Sequence, residues 1–224
     1  MAIIIDGKQT AENITEELKL EVSKMQKKPH LVVIQVGDNP ASNIYVNLKH
    51  KKAETIGIKS TIIKYPETIT EDELINKIEE LNNDNEVHAV LVQLPLPKHI
   101  HKTNVIKAIS ARKDVDGFTA QNSGDLLNGI TPKVYPCTPK GILRLLKEYN
   151  IEIAGKYAVI VGRSNIVGKP VAIMLLNKDA TVTICHSKTK NLSEITKQAD
   201  ILISAVGKKI IFKDMVKKDA VVID

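Results

Sequence analysis

The chain has 224 residues, 43% hydrophobic and 26% charged, enough to bury a full core in one large domain or two modest ones. No apolar run approaches the roughly 18 residues of a membrane helix, and the N-terminus starts directly on Ile3, Ile4 and Ile5, so a soluble cytoplasmic protein without a membrane association is expected. The net charge of +6 is spread along lysine-rich segments and aromatics make up only 3%, which excludes a dense basic groove for nucleic acid but leaves a diffuse field that attracts anionic small molecules.

In chain order, Ala11, Ile14, Leu18, Val22 and Met25 recur at helical spacing, and Leu31 to Val36 follows as a short apolar strand between Pro29 and Gly37. Asn39-Pro40 is a cap followed by a first-turn proline, which starts a helix that stops near Gly57; Ile58 to Tyr65 is then a strand. Thr70 with Glu73 forms a capping box ahead of Leu74, Ile78 and Leu81, and His88 to Leu94 is a buried strand ended by Pro95 and Pro97. Asp114 to Pro139 reads as loop, with a helix near Gly141 to Tyr149 bridging to a second half. There Tyr157 to Val161, Thr181 to Cys185, Ile201 to Val206 and Ala220 to Ile223 are strands, and Gly168 to Asn177 is a helix. Such alternation defines an α/β protein of two domains: an N-terminal αβα unit with a mainly parallel sheet and a Rossmann-like unit. The boundary is expected at residues 137/138.

In the second half, the strand ending at Val161 runs through Gly162-Arg-Ser-Asn-Ile-Val-Gly168-Lys-Pro170 into a helix, the context that dinucleotide binding requires. The glycine pattern itself is imperfect, because Ser164 replaces the second glycine and Gly168 comes one place late. The end of the next strand sharpens it: an NAD site places a carboxylate there, whereas this chain has Cys185-His-Ser187-Lys188-Thr189. Together with Arg163, these hydroxyls and cations suit a 2'-phosphate, which favours NADP, although Arg163 and Lys188 also fit a merely solvated surface.

In the first half, Tyr45 and Lys49 are four apart on one helix and share a face. A snorkelling lysine beside a half-buried tyrosine is the plain explanation. Gln93, however, stands at the carboxyl end of an apolar strand, where ligands gather in open parallel sheets, and Asp116 follows in a turn-like Asp114-Val-Asp116-Gly117-Phe118 segment.

Five segments in this order, Val36-Gly-Asp-Asn-Pro-Ala-Ser42-Asn-Ile-Tyr45-Val-Asn-Leu-Lys49, Val92-Gln93-Leu-Pro-Leu-Pro97, Asp114-Val-Asp116-Gly117-Phe118, Tyr135-Pro-Cys-Thr138-Pro139 and Gly162 to Pro170, resemble the motif set of the bifunctional methylenetetrahydrofolate dehydrogenase/methenyltetrahydrofolate cyclohydrolase family. The resemblance covers the whole chain. It implies a tetrahydrofolate derivative stacked on Tyr45 in an interdomain cleft, its pterin edge held by Asp116, with Lys49 and Gln93 working together as catalytic groups. It also implies NADP on Gly162, Arg163, Ser164 and Ser187, and a homodimer formed through the cofactor domains. The family's chain continues with further strands, a Pro-Gly-Gly-Val-Gly-Pro loop lining the folate pocket and a returning helix. The expectation is therefore a cofactor domain shortened at its C-terminal end, with an unpaired strand edge.

Two rival functions remain at this point. Tyr45-x-x-x-Lys49 imitates the catalytic pair of short-chain dehydrogenases, but in those the glycine turn precedes the pair, and here Gly162 follows it. A non-catalytic nucleotide or folate binder is the second. His99 and His101 lack partners at metal-ligand spacing and are expected in a loop after Pro97; no metal is expected. His186 is read as a strand-end residue, and Cys137 and Cys185 as two reduced thiols.

Overall fold

The computed structural model describes residues 3–224, which pack as two compact units: Asp6–Gln121, and Asn122–Asp224 together with residues 3–5.

The first unit is built on a three-stranded parallel sheet, β1 (His30–Val36), β2 (Lys59–Tyr65) and β3 (Ala89–Val92), in the order β2-β1-β3. Central β1 is buried on both faces, which is why it reads as a continuous apolar run. Val32, Ile34 and Val36 pack with Val90 and Val92 against Leu74, Ile78 and Leu81 of α3 (Glu71–Asn83) and Val105 of α4 (Lys102–Ala108). On the opposite face Val33 and Leu91 meet Val46 of α2 (Pro40–Thr55), so the unit is an αβα sandwich. Helix α1 (Gly7–Ser23) begins on Asp6, which accepts from the Gln9 N–H, and its Val22 lies where a side chain on Gly57, the φ +84° residue after α2, would press. The expected caps are in place: Asn39 Oδ1 accepts from the Ser42 N–H at 3.1 Å, and Thr70 and Glu73 form a reciprocal capping box.

The second unit carries β4 (Tyr157–Val161), β5 (Thr181–Cys185), β6 (Ile201–Ser204) and β7 (Val221–Ile223), all parallel, in the order β5-β4-β6-β7. One face is covered by Ile142 and Leu146 of α6 (Cys137–Glu148) and by Val171, Ala172 and Leu175 of α7 (Gly168–Leu176). The other is covered by Leu192 and Ile195 of α8 (Leu192–Thr196) and by Ile210, Ile211 and Val216.

Three elements differ from expectation. The stretch from Asp114 to Pro139 contains a helix, α5 (Ala120–Leu127), whose buried residues are Asn122 and Leu126, too few to give an apolar period. The segment after Pro97 is loop only as far as His101, which is the N-cap of α4; among the residues of that helix, Val105 alone is buried. Helix α8 is five residues long, below any periodic signal.

Candidate functional site

In the first unit, the ends of three elements meet above the carboxyl edge of the sheet. Gln93 follows β3, and its backbone N–H still donates to the Ile34 carbonyl at 2.8 Å, so its side chain keeps the strand's alternation and rises on the α2 face. There the Lys49 Nζ donates to Gln93 Oε1 at 3.0 Å, while Gln93 Nε2 donates to the Leu94 carbonyl at 2.7 Å. The amide is thereby oriented with its oxygen toward the lysine. Tyr45, one turn before Lys49, is 60% exposed beside the exposed Ile44 and Leu48, an open aromatic surface next to a half-buried amine.

The third element is the segment after an isolated parallel bridge between Val90 and Asp114, which extends the sheet by one rung. Asp114 is 2% exposed, and its carboxylate accepts from the N–H groups of Asp116 at 3.1 Å, Gly117 at 2.9 Å and Thr119 at 2.9 Å. These bonds wind the chain into a tight turn in which Gly117 takes φ +70° and Asp116 is presented at the site. Burial raises the Asp116 carboxyl above its ordinary range; the Lys49 charge pulls it back down and the Asp114 charge pushes it up. Asp114 is the organiser of this turn, and the sequence motif alone gives it no role. Its signal, an aspartate three residues before the turn glycine Gly117, is present but ambiguous.

In the second unit, the strand order changes direction at β4: β5 lies on one side and β6 on the other, which creates the crevice where open α/β sheets take ligands. Gly162, at φ +128°, lines it. A Cβ there would lie 2.7 Å from the Ala205 carbonyl oxygen, and a Cβ on Gly168 would lie 2.3 Å from the Gly162 carbonyl oxygen. Both glycines are therefore required by backbone approach, and the late placement of Gly168 does not weaken it: the start of α7 rests directly on the turn. The loop after β6, from Ala205 to Gly207, forms the other lip; the sequence reads strand as far as Val206, but β6 ends at Ser204.

Ser164 Oγ accepts from the N–H groups of Val167 at 3.1 Å and Gly168 at 3.2 Å, so its hydroxyl caps the helix and keeps its own proton to donate. Beyond β5, the His186 N–H donates to Thr189 Oγ1 at 2.8 Å and His186 Nδ1 accepts from the Lys188 N–H at 3.2 Å. This turn leaves Ser187 and Lys188 exposed, as Arg163 is. His186 thus shapes the strand end. The residues fit a dinucleotide phosphate: a cradle that any Cβ would fill, flanked by hydroxyl and cationic groups.

Other candidates have structural partners. His99 Nε2 lies 2.9 Å from the Ile69 carbonyl and His101 packs beside Glu71; among the described residues no three His, Cys, Asp or Glu side chains gather as a metal site. Cys137 is exposed and Cys185 buried, and burial keeps the Cys185 thiol above its ordinary range, hence protonated and unreactive. A groove of about 860 Å³ between α6, residues 129–135 and the end of α7 holds none of these site residues. Among the described residues no helix is long and apolar enough to cross a membrane.

Fold and site define a class, a two-unit α/β enzyme with a dinucleotide crevice on one unit and a lysine, amide and carboxylate constellation on the other. Residues 5–116 match the family model described as tetrahydrofolate dehydrogenase/cyclohydrolase, catalytic domain, and residues 136–224 match the NAD(P)-binding domain of the same family. The bifunctional protein FolD of Ligilactobacillus salivarius is 54% identical over 228 residues, spanning 100% of this chain and 80% of that protein. The crystal structure of the bifunctional FolD enzyme of Campylobacter jejuni is 48% identical with a TM-score of 0.96, over 98% of this chain and 79% of that one. The Trypanosoma brucei enzyme, solved with NADP cofactor and an inhibitor, is 35% identical with a TM-score of 0.94, over 99% of this chain and 77% of that one. The chain belongs to the tetrahydrofolate dehydrogenase/cyclohydrolase family.

Proposed function

We propose that this chain catalyses two successive steps in one-carbon metabolism: NADP-dependent oxidation of methylenetetrahydrofolate to methenyltetrahydrofolate, and hydrolysis of the latter to formyltetrahydrofolate. The observation that carries the reading is the Lys49 Nζ to Gln93 Oε1 bond of 3.0 Å at the carboxyl edge of a parallel sheet, within the electrostatic reach of Asp116.

Tyr45 offers its exposed ring as the stacking surface, and Asp116 accepts hydrogen bonds from the donor edge of the pterin. Gly162, Arg163, Ser164 and Ser187 hold NADP, which supplies the hydride acceptor when bound. Oxidation asks the chain's own residues only for positioning, because no proton has to move with the hydride. Ring opening asks for more. Water forms a bond to the methenyl carbon and releases a proton; the ring C–N bond then breaks as the hydroxyl proton passes to the departing nitrogen. Lys49 Nζ carries these protons, and Gln93 Oε1 keeps it aimed.

In this reading the folate side comprises residues 1–137 and the NADP side residues 138–224, a division within two residues of where the NAD(P)-binding family match begins, at 136. The protein works in the cytoplasm as a homodimer formed through the cofactor domains, taking a small-molecule folate rather than nucleic acid or membrane as its partner.

The test is Lys49→Ala, with NADPH formation and loss of the methenyl product followed separately. Ring opening is expected to fall by roughly 100-fold or more, the scale of general acid–base catalysis, while much of the hydride transfer survives. Retention of both activities would remove Lys49 from the mechanism.

A further inference from the structure

Gln35 lies at the end of β1 with 1% of its surface exposed, an amide in a position where the strand otherwise buries Val33 and Leu31 against α2. Its Nε2 donates to Asn43 Oδ1 at 2.6 Å and to the Gly37 carbonyl at 3.2 Å; its Oε1 has no partner among the described residues. An apolar side chain of the same length would fill this space without leaving a buried oxygen unpaired, so packing alone does not account for the amide.

The direction of the hydrogen bonds is determined from outside. Asp38 is exposed, and Asn43 Nδ2 donates to its carboxylate at 2.7 Å. An ionised carboxylate only accepts, which turns the Asn43 nitrogen toward Asp38 and its oxygen inward. The inward oxygen in turn requires a donor, which fixes the Gln35 amide with Nε2 toward α2 and leaves Oε1 over. Flipping either amide would set two acceptors against each other.

The register gives this chain a consequence. Ile34 pairs with Val92 and the Gln93 N–H continues the ladder to Ile34, so Gln35 and Gln93 stand side by side on adjacent strands with both side chains toward α2. Each holds the same helix: Gln35 through Asn43 in its first turns, and Gln93 through Lys49 six residues later, with buried Val46 between them. We propose that Gln35 is a positioning residue for ring opening: by clamping Asn43 it sets the rotation and height of α2, so that Lys49 Nζ meets Gln93 Oε1. This rests on the role given to Lys49 above.

The experiment compares Gln35→Met, which keeps the length and removes the donor, with Lys49→Met in the otherwise intact chain. Three readouts are needed: both activities, the thermal midpoint, and the Gln93 side-chain amide signals by NMR. Gln35→Met is expected to lower kcat for ring opening roughly 10- to 100-fold, the cost of misplacing a catalytic group by about an ångström. Hydride transfer, the KM for NADP and the thermal midpoint should stay close to wild type, and the Gln93 amide signals should move in the direction that Lys49→Met moves them. Gln35→Asn together with Asn43→Gln, which moves one methylene from the strand to the helix, should recover part of the loss. Unmoved Gln93 signals with unchanged ring opening in Gln35→Met overturn the positioning role, as does a parallel fall of both activities with the midpoint. If Lys49→Met leaves ring opening intact, the proposed mechanism fails instead, whatever Gln35 does to the amide signals.

Discussion

The two units make their sites by different means. In the first, the candidate side chains are tied to one another: Lys49 to Gln93, the Asp116 turn to Asp114, and α2 to β1 through Asn43 and Gln35. In the second, the site is a shape. Gly162 and Gly168 bring backbone against backbone, and the groups that would read a phosphate, Arg163, Ser187 and Lys188, stand exposed around it. Chemistry that moves protons needs groups held in fixed orientation; binding a polyanion needs room for close approach and donors at the rim. The two sites therefore differ in which substitutions harm them.

The sharpest break in that contrast is Gly168→Ala. Its Cβ would sit 2.3 Å from the Gly162 carbonyl oxygen and against the Arg163 backbone nitrogen, main-chain atoms that cannot turn aside, so roughly 3 kcal/mol or more of the second unit's stability is at stake. Loss of NADP binding by titration calorimetry is expected, with hydride transfer lost and ring opening by the first unit much less affected.

Next is the pH dependence of folate binding. The Asp116 carboxyl is raised by burial first, then by Asp114, against the pull of Lys49. Binding a donor edge requires the ionised form, so the KM for folate should climb as pH falls toward the raised value, at a higher pH than an ordinary aspartate would give. Lys49→Met removes the opposing pull and should move that onset upward. For stability the sign is opposite. A carboxyl raised on folding favours the folded state below its unfolded value, and this contribution is lost as pH rises through the folded one. Asp116→Asn should accordingly raise the thermal midpoint at neutral pH while weakening folate binding.

Smaller still, Arg163→Ala and Lys188→Ala should each reduce the preference for NADP over NAD by about 10-fold, since hydrogen bonds to charged groups contribute roughly 1.5–3 kcal/mol and exposure reduces this. Equal losses for both cofactors would show that these side chains do not read the 2'-phosphate. The least effect belongs to Thr70→Ala, which removes the capping box of α3 and should cost about 1 kcal/mol in urea unfolding without touching either activity.

Much of this architecture was legible in the sequence because local and tertiary preferences coincide there. Strands β4 and β5 end where their apolar runs end, Asn39 caps α2, and Thr70 with Glu73 announces α3. The elements that escaped, α4, α5 and α8, are five to eight residues long and bury one or two side chains each, so no period develops. In the site, the face shared by Tyr45 and Lys49 follows from helical geometry, but the meeting of Lys49 with Gln93 spans 44 positions and depends on which strand lies beside which. The amide of Gln35 was illegible for the same reason, and the organising carboxylate of Asp114 only ambiguous, because their partners are backbone groups and side chains selected by the fold. Ser164 presents the opposite difficulty: it stands at a position proposed for the cofactor, and its hydroxyl also caps α7.

The contact between Gly168 and the Gly162 carbonyl has a consequence for engineering. Because it joins main chain to main chain, no neighbouring side chain can be trimmed to make room for a substituent, and these two positions have no compensating partners. The exposed side chains around the turn carry none of that constraint. With the roles proposed above, Arg163, Ser187 and Lys188 form an exchangeable cassette for cofactor preference, to be rewritten together for a different dinucleotide while the glycine lock is left alone.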